Sequence, residues 1–439
     1  MKKKTIAMLL MIEIILIFFI MYNLRDKMLN KEINIPDRNL EDILRGKIGK
    51  RNGEPIYKND LKIITRISAP EEGIKSLEGL QYCVNLRVAE LWGNKISYIP
   101  DLSDLDDLEY LQLNGNFISD ISGLSGLESL EYLNLKGNII TGSVSLYDLP
   151  NLKELELRGN DITTISLSGN FDSIEHLSLD FNRISDISGL SDFTTLKWLS
   201  LRSNNVSDIS PLANLTNLEY LDLCGNNISD ISPLANLTNL EYLDLSTNNI
   251  LDISPLKNLT NLRELWLVNT EITDISPLTD LSNLRKLNLG ENNINNLTPL
   301  ADLKTLEELS LYRDSIADIS PLANLRNLKS LFLDDNNITD ISPLANLTNL
   351  EYLDLCGNNI SDISPLANLT NLEYLDLCGN NISDISPLVE NIGIDSGDMV
   401  DIRNNPLSSP SINTYLPELE ARLVDVKWKQ EYTQNSQEE

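Results

Sequence analysis

Histidine and cysteine, the side chains on which much catalytic and metal chemistry depends, are scarce in this sequence. The 439 residues include one histidine, His176, and four cysteines. His176 stands at a strand position that other repeats fill with Tyr220 and Tyr242, so we expect it on the surface. No phosphate loop, nucleophile elbow or metalloprotease motif is present. The sequence therefore predicts no enzyme, no catalytic residue, no cofactor and no metal site.

The cysteines form no recognisable metal-binding pattern. Cys83, Cys224, Cys356 and Cys378 have neither the number nor the spacing of a zinc site. Cys356 and Cys378 occupy equivalent positions on adjacent predicted strands, which makes a disulfide conceivable, but we expect its geometry across a parallel pair to be unfavourable. The prediction is therefore four free thiols, duplicated together with their repeats.

Basic residues are also in deficit. Lysine and arginine total 35 against 65 aspartates and glutamates, which gives a net charge of −30. A protein that binds nucleic acid needs cationic groups to neutralise phosphates. The charge therefore excludes nucleic acid as a partner.

One long apolar run stands at the N-terminus. It extends from Ile6 to about Tyr22, is interrupted only by Glu13 and follows three lysines. Positive residues favour the cytoplasmic side of a membrane, so the rest of the chain is expected outside. Because no small-residue cleavage pattern follows the run, we predict an uncleaved signal anchor in the cell membrane. A cleaved signal peptide, and hence secretion, is the alternative.

A unit of 22 residues recurs through the remainder of the chain. Its clearest form, residues 217–235, contains the pattern L-x-x-L-x-L-x-x-N-x-I, which is the signature of a leucine-rich repeat. One asparagine marks the register at Asn94, Asn116, Asn138, Asn160, Asn182, Asn204, Asn226, Asn248, Asn292, Asn336, Asn358 and Asn380. Thr270 and Asp314 fill the two gaps. The asparagine amide can donate to and accept from the backbone of neighbouring turns, so we interpret this column as structural.

These repeats predict an α/β repeat solenoid, the leucine-rich repeat horseshoe. Leucines such as Leu221 and Leu223 alternate with polar residues, so each turn supplies a short strand to a parallel β-sheet on the concave face. Segments such as Ser210-Pro211-Leu212 predict short 3₁₀ turns on the convex side. There the serine is expected to cap the turn and the proline to take the first helical position.

Both ends of the repeats carry segments that can cover the exposed leucines of a terminal turn. Leu40, Ile43, Leu44 and Ile48 have helical spacing, and Gly49 suits a helix end. A helical stretch and a last strand are expected after Ser411. We divide the chain into a signal anchor (1–24), a linker and N-terminal helical cap (25–60), the repeats (61–401, about 14 full repeats after an irregular first turn), a C-terminal cap (402–429) and a disordered tail (430–439).

Three segments resemble the internalin-type leucine-rich repeat proteins of bacterial surfaces. They are residues 35–40 (IPDRNL), residues 73–82 (GIKSLEGLQY) and the repeats with D-I-S-P-L-x-N-L-T-N-L. The resemblance covers roughly residues 34 to 428. It implies a helical cap before the repeats and a concave face that binds a partner, often a protein. No Leu-Pro-x-Thr-Gly sorting signal or immunoglobulin-like module follows, so host-cell invasion is not implied.

Large and charged side chains flank the strand leucines at the positions predicted for the concave face. The candidate ligand-binding residues are Trp198, Arg202, Tyr220, Asp222, Tyr242, Asp244, Trp266, Tyr312, Phe332, Tyr352, Asp354, Tyr374 and Asp376. Aromatic residues on a rigid sheet are typical of binding hot spots. Alternatively, they suit β-strands and pack along the ladder. The acidic residues among them favour a basic or polar partner, either a protein patch or a glycan.

A column of aspartates beside the convex turns admits two interpretations. Its members are Asp186, Asp208, Asp230, Asp252, Asp274, Asp318, Asp340, Asp362 and Asp384. The first is turn capping and solvation. The second is a calcium-binding ladder, because a divalent cation relieves the repulsion between stacked carboxylates.

Residues 208–245 recur without a change as residues 340–377. Such identity over a long segment indicates recent duplication, which fits an adaptable binding surface better than a fixed catalytic pocket. The sequence thus predicts a monomeric, non-enzymatic, membrane-anchored protein outside the cytoplasm that binds a protein or glycan. The alternatives are an intracellular scaffold or phosphatase-regulatory-type subunit, which the apolar N-terminus disfavours, and a calcium-dependent adhesion or structural wall protein.

Overall fold

The computed structural model describes residues 31–167 and 171–429. These residues form two compact units, one ending at Ser178 and the other beginning at Leu179. The predicted signal anchor and the predicted disordered tail lie outside the described residues.

The first unit begins with a small cap that contains the predicted helix. Strand β1 (Glu32–Ile33) pairs antiparallel with β2 (Ile56–Tyr57), and helix α1 (Arg38–Ile48) lies between them in sequence. The Asp37 Oδ1 accepts the Leu40 N–H at 3.0 Å and caps the helix. Gly49 ends it with a φ of 70°, which glycine adopts without strain. The helix predicted before the repeats is confirmed.

Strands one turn apart form a parallel sheet in the first unit. In chain order the strands are β3 (Arg66–Ser68), β4 (Val88–Glu90), β5 (Tyr110–Gln112), β6 (Tyr132–Asn134), β7 (Thr141–Val144), β8 (Glu154–Glu156), β9 (Asp161–Ile165) and β10 (His176–Ser178). The sheet has the order β3-β4-β5-β6-β8-β10. On the other side of these turns lie the separate parallel pair β7 and β9 and the 3₁₀ helices Lys58–Ile63, Leu80–Tyr82 and Ser122–Leu124.

The second unit repeats the same arrangement with greater regularity. Its strands are β11 (Trp198–Ser200), β12 (Tyr220–Asp222), β13 (Tyr242–Asp244), β14 (Glu264–Trp266), β15 (Lys286–Asn288), β16 (Glu308–Ser310), β17 (Ser330–Phe332), β18 (Tyr352–Asp354), β19 (Tyr374–Asp376), β20 (Met399–Asp401) and β21 (Asp425–Lys427). Each pairs in parallel with the next. The last turns carry α2 (Ser386–Glu390), a π-helical turn (Ser411–Tyr415) and α3 (Leu416–Ala421).

Short 3₁₀ helices follow the strands of the second unit on the opposite side of each turn. They are Ser188–Leu190, Ser210–Leu212, Ser232–Asn236, Ser254–Asn258, Ser276–Leu278, Thr298–Leu300, Ser320–Asn324, Ser342–Asn346 and Ser364–Asn368. Leucines from strands and 3₁₀ helices meet between these two sides, and Leu221, Leu223 and Leu234 have no exposed surface. The predicted fold class, a leucine-rich repeat solenoid with a parallel sheet and 3₁₀ turns, is confirmed.

The asparagine column connects successive turns through buried hydrogen bonds. The Asn226 Nδ2 donates to the Leu201 and Leu223 carbonyl oxygens, both at 2.9 Å. Its Oδ1 accepts the Val206 N–H at 3.0 Å. The amide thus satisfies backbone groups that the short strands leave unpaired. The structural interpretation of this column is confirmed.

The capping of the 3₁₀ turns differs from the prediction. The turn begins at Ser210, so its cap position is held by Ile209, which makes no side-chain capping bond. Instead, the Asp208 Oδ1 accepts the Ser210 N–H at 2.8 Å. The predicted serine cap was wrong, because the serine is already part of the turn and the aspartate two residues earlier accepts its N–H. Pro211 lies among the first two residues of the turn. Equivalent bonds join Asp186 to Ser188 and Asp230 to Ser232, so turn capping accounts for the aspartate column.

The described residues contain little that bears on the predicted compartment. In the ranges 31–167 and 171–429, no helix is both long enough and apolar enough to cross a bilayer. The domain boundaries proposed from the sequence stay predictions.

Candidate functional site

Three rows of side chains project from the side of the sheet that faces away from the leucine core, which we call the open face. The first row consists of the first residue of each strand, the second row of the third residue, and the third row of the residue two positions further on. In β12 and its continuation these are Tyr220, Asp222 and Cys224. Because strands pair in register, residues of one row are neighbours along the sheet. All thirteen candidate residues lie in these rows.

Aromatic rings form a stack in the first row of the second unit. The Trp198 and Tyr220 ring centroids are 4.7 Å apart, and those of Tyr220 and Tyr242 are 4.2 Å apart, with interplanar angles of 10° and 8°. All three side chains are half-buried. The rings therefore pack along the ladder, as the structural interpretation expected, and each still presents part of its surface to solvent.

Two aspartates of the second row lie beside this stack. Asp222 and Asp244 are both 5% exposed. Each Oδ1 accepts a backbone N–H two residues on, and each Oδ2 faces the Arg202 Nη1, at 3.4 Å for Asp222 and 3.3 Å for Asp244. Burial raises the pKa of Asp222 to about 6. These residues form a local network under Arg202, so the ring stack is the more accessible part of this area.

A second aromatic stack occurs further along the same unit. The Tyr352 and Tyr374 centroids are 4.1 Å apart at 3°, and the Phe332 ring of the second row lies 4.9 Å from Tyr352 at 37°. Beside them, Asp354 and Asp376 are half-buried. Burial raises the pKa of Asp354 to about 7 and also raises that of Asp376.

The tyrosine pairs of the two stacks lie in the two identical 38-residue segments, but the residues before and after these segments differ. The third-row position that Arg202 holds before the first stack belongs to Asp334 before the second. Burial raises the pKa of Asp334 too. After the stacks, Trp266 of the second row corresponds to Asp401, whose Oδ2 accepts from the Arg403 Nε at 2.9 Å. The second stack therefore has an acidic neighbour where the first has a cation.

The remaining two candidates lie apart from the stacked rings. Trp266 pairs in register with Asp244, in the second row. Its buried Nε1 has no hydrogen-bond partner among the described residues. Tyr312, in the third row, lies across Gly290, where an added Cβ would come within 2.3 Å of the ring. A side chain at position 290 would therefore displace the ring from this place.

The cysteines differ from the prediction of four free thiols. Cys356 and Cys378, third-row neighbours, form a disulfide with a Cα–Cα distance of 4.6 Å, whereas Cys83 and Cys224 are free and buried. The prediction was wrong for this pair because neighbouring parallel strands bring equivalent Cα atoms within the range that a disulfide spans. Burial raises the pKa of the Cys83 thiol to about 12.

Sequence reasoning missed several residues that the register brings to the open face. Asp180 accepts hydrogen bonds from the Ser200 hydroxyl and, at 3.1 Å, from the Arg202 backbone N–H. Glu156 lies 3.1 Å from the Nε2 of His176. Aligning the repeats by their asparagine places these residues on neighbouring turns. Both side-chain contacts join different rows, however, and the alignment alone does not report such contacts.

Comparison with known proteins identifies the family. The family model "Leucine Rich repeats (2 copies)" matches residues 84–126, 107–149, 150–192, 194–236, 216–258, 260–304, 304–346 and 348–390. No curated protein sequence matches the chain. An internalin of Listeria monocytogenes, InlF, is 36% identical, with a TM-score of 0.64 over 77% of this chain and 94% of that chain.

Two further structures share the fold at lower identity. A leucine-rich repeat protein of Leptospira interrogans is 24% identical, with a TM-score of 0.74 over 84% of this chain and 97% of that one. InlJ of Listeria monocytogenes, whose functional domain includes a cysteine ladder, is 21% identical, with a TM-score of 0.73 over 85% and 81% of the two chains. The chain belongs to the leucine-rich repeat proteins and, among them, to the internalin type.

Proposed function

We propose that this protein is a non-enzymatic binding protein that holds a protein or glycan partner on the open face of its second unit. The observation that carries the proposal is the stack of Trp198, Tyr220 and Tyr242, whose half-buried rings lie in one row at spacings of 4.7 and 4.2 Å. Rings held in fixed positions lose little conformational entropy when a partner covers them. They also offer flat surfaces to a sugar ring or a cationic side chain.

The charge of the face favours a basic or polar partner. The second stack has Asp334, Asp354 and Asp376 in its vicinity, and the whole chain has a net charge of −30. Such a field speeds the approach of a cationic partner and repels an anionic one. Neither stack presents a nucleophile paired with a base, which supports a binding role rather than an enzymatic one.

Site-specific photo-crosslinking tests the binding face. A photoreactive phenylalanine replaces Tyr242 in one variant and the exposed Thr238, beside the 3₁₀ turn, in a matched control. Irradiation in the presence of intact cells and the surrounding medium is expected to give a discrete adduct from position 242 only. Sensitivity of the adduct to protease or to glycosidase identifies the class of partner. Equal adducts from both positions, or none from position 242, would refute the proposed face.

Variants of two tryptophans on the open face separate binding from packing. Trp198→Ala together with Trp266→Ala is expected to reduce adduct formation at position 242 while leaving the melting temperature within a few degrees of the parent. Both indoles are half-buried rather than part of the leucine core, which supports this expectation. A large fall in melting temperature would instead assign the rings to packing alone.

We further propose that the repeats lie outside the cytoplasm, anchored by the segment of residues 1–24, which contains the apolar run. The lysines before the run and the missing cleavage pattern support this arrangement. Protease shaving of intact cells, with detection of the repeats in cell, membrane and medium fractions, tests it. Loss of a membrane-bound form on shaving is expected. Protection in the cytosol would contradict the proposal, and recovery from the medium would mean that the run is cleaved.

A further inference from the structure

The one histidine of the sequence lies in a cluster with two glutamates on the open face of the first unit. Glu154 and Glu156 are the first and third residues of β8, and His176, the first residue of β10, pairs in register with Glu154. Alternation along the strands directs all three side chains to one side of the sheet. Each offers one ligand atom, and the three atoms lie within 4.8 Å of one another.

The surroundings of the cluster favour an added positive charge. The His176 Nε2 is 3.1 Å from the Glu156 Oε1, and the two side chains are only 30% and 18% exposed. Glu154, two residues before Glu156 on the same strand, is half-buried as well. Two carboxylates are therefore close together and partly shielded from water. A bound cation would offset both the repulsion between their charges and the cost of desolvating them.

On the neighbouring strand β6 the two glutamates face neutral side chains. On β6, the register neighbours of the two glutamates are the neutral Tyr132 and Asn134, and the Asn134 Nδ2 donates to the Tyr132 Oη at 3.0 Å. Lys153, just before β8, pairs through its Nζ with the Glu131 Oε2 at 2.8 Å.

We propose that Glu154, Glu156 and His176 form a binding site for a divalent transition-metal ion, with Zn²⁺ as its representative. An imidazole nitrogen with carboxylate oxygens is a ligand set that zinc accepts, whereas Ca²⁺ and Mg²⁺ take oxygen ligands almost alone. Zinc bonds of about 2.0–2.2 Å hold ligand atoms roughly 3.3 Å apart, so rotamer adjustment suffices to close the cluster. Three protein ligands leave one tetrahedral position, where water or a group of a bound partner completes the coordination.

Calorimetric titration of the full-length protein with ZnCl₂, after removal of metals by a chelator, tests the proposal. We expect one zinc ion per molecule at pH 7.5 and weaker binding at pH 5.5, where protons compete for the imidazole and the carboxylates. His176→Gln and Glu156→Gln should each weaken binding roughly tenfold or more. The matched control is Glu264→Gln, because Glu264 also begins a strand but lies beside Lys286 rather than a histidine. That variant should bind like the parent.

Binding that is unchanged in His176→Gln, or that CaCl₂ in millimolar excess abolishes, would overturn the site, since it would mean loose association with the acidic surface. Circular dichroism of each variant verifies folding. A second measurement needs no substitution: Co²⁺ bound by nitrogen and oxygen ligands gives visible absorption bands without the near-ultraviolet band of a cobalt–thiolate bond. A thiolate band would assign the metal to a cysteine and also overturn the proposal.

Discussion

At the scale of single residues, the asparagine amide is the most repeated polar contact of the structure. In each standard turn it donates to at least two carbonyl oxygens and accepts one N–H, and Asn226 donates to three, all of them buried. Removing it leaves those backbone groups without partners in a place that water does not reach. A buried unsatisfied group costs about 1–3 kcal/mol.

Asn226→Ala is therefore expected to lower the free energy of unfolding by roughly 2–4 kcal/mol. Urea denaturation followed by circular dichroism measures the change. The adjacent Asn227 is exposed, so Asn227→Ala serves as a matched control and should have little effect. Equal losses in the two variants would contradict the role assigned to the column.

Asp314 replaces that asparagine in one turn and has a different electrostatic behaviour. It has no exposed surface, and its Oδ1 accepts the Asn292 and Ile294 N–H groups at 3.1 and 3.2 Å. Its Oδ2 has no hydrogen-bond partner among the described residues. Burial raises the pKa of Asp314 to about 7. The folded protein therefore holds the proton at a pH where the unfolded chain has lost it.

Asp314→Asn should stabilise the protein at alkaline pH and much less at acid pH. The pKa of Asp314 in the folded protein lies above its ordinary value. The contribution of Asp314 to the free energy of unfolding is therefore fully present below about pH 4 and is lost as the pH rises through about 7. At pH 8 the buried carboxylate costs on the order of 4 kcal/mol, which the amide avoids. Thermal unfolding at pH 4.5 and 8 measures this difference. The exposed Asp280→Asn is the control, and an equal gain at both pH values would contradict the expectation.

At the scale of strands and turns, the disulfide follows from a difference directly after the two identical segments. Cys224 and Cys356 are equivalent residues, but the next strand has Ser246 after the first and Cys378 after the second. Ser246 therefore occupies the position that corresponds to Cys378, the partner of Cys356 in the disulfide. Thiol titration of the denatured, unreduced protein should find two free thiols out of four.

Ser246→Cys is expected to form a second disulfide with Cys224, because the two segments have the same sequence and strand pairing. After oxidation, the variant should contain one free thiol, that of Cys83. Adding Cys224→Ser to Ser246→Cys should restore two free thiols and is the control. Three free thiols in the single variant would show that the first segment does not reach the required geometry.

At the scale of the whole molecule, the repeat pattern was sufficient to predict the fold, but contacts between rows were not readable from it. Leucine spacing and the asparagine column predicted the parallel strands and the buried ladder. Contacts such as that of Arg202 with Asp222 and Asp244 depend on the register between turns, together with side-chain reach. The disulfide was missed because the sequence does not report Cα separations. Whether the thirteen candidate residues bind a partner stays a prediction.

Because each turn contacts chiefly its neighbours, removal of one complete turn should leave a folded protein. Residues 362–383 repeat residues 340–361 without a change, so deleting 362–383 creates no new junction. We expect cooperative unfolding, with a free energy of unfolding that falls slightly less steeply with urea concentration. The product should contain three free thiols, since Cys378 is lost. Deleting only 362–372 breaks the register and should cause misfolding. An unfolded product of the complete-turn deletion would contradict the independence of the turns.

The same identity of adjacent turns has a genetic consequence. Unequal crossing-over between the two coding segments adds or removes a whole number of turns in frame, so descendants differ in length without passing through a misfolded intermediate. Each such event also adds or removes one cysteine of the bridged row. The number of turns and the number of cysteines available for disulfides are therefore expected to vary together. A survey of repeat number and cysteine count among related strains would reveal this correlation.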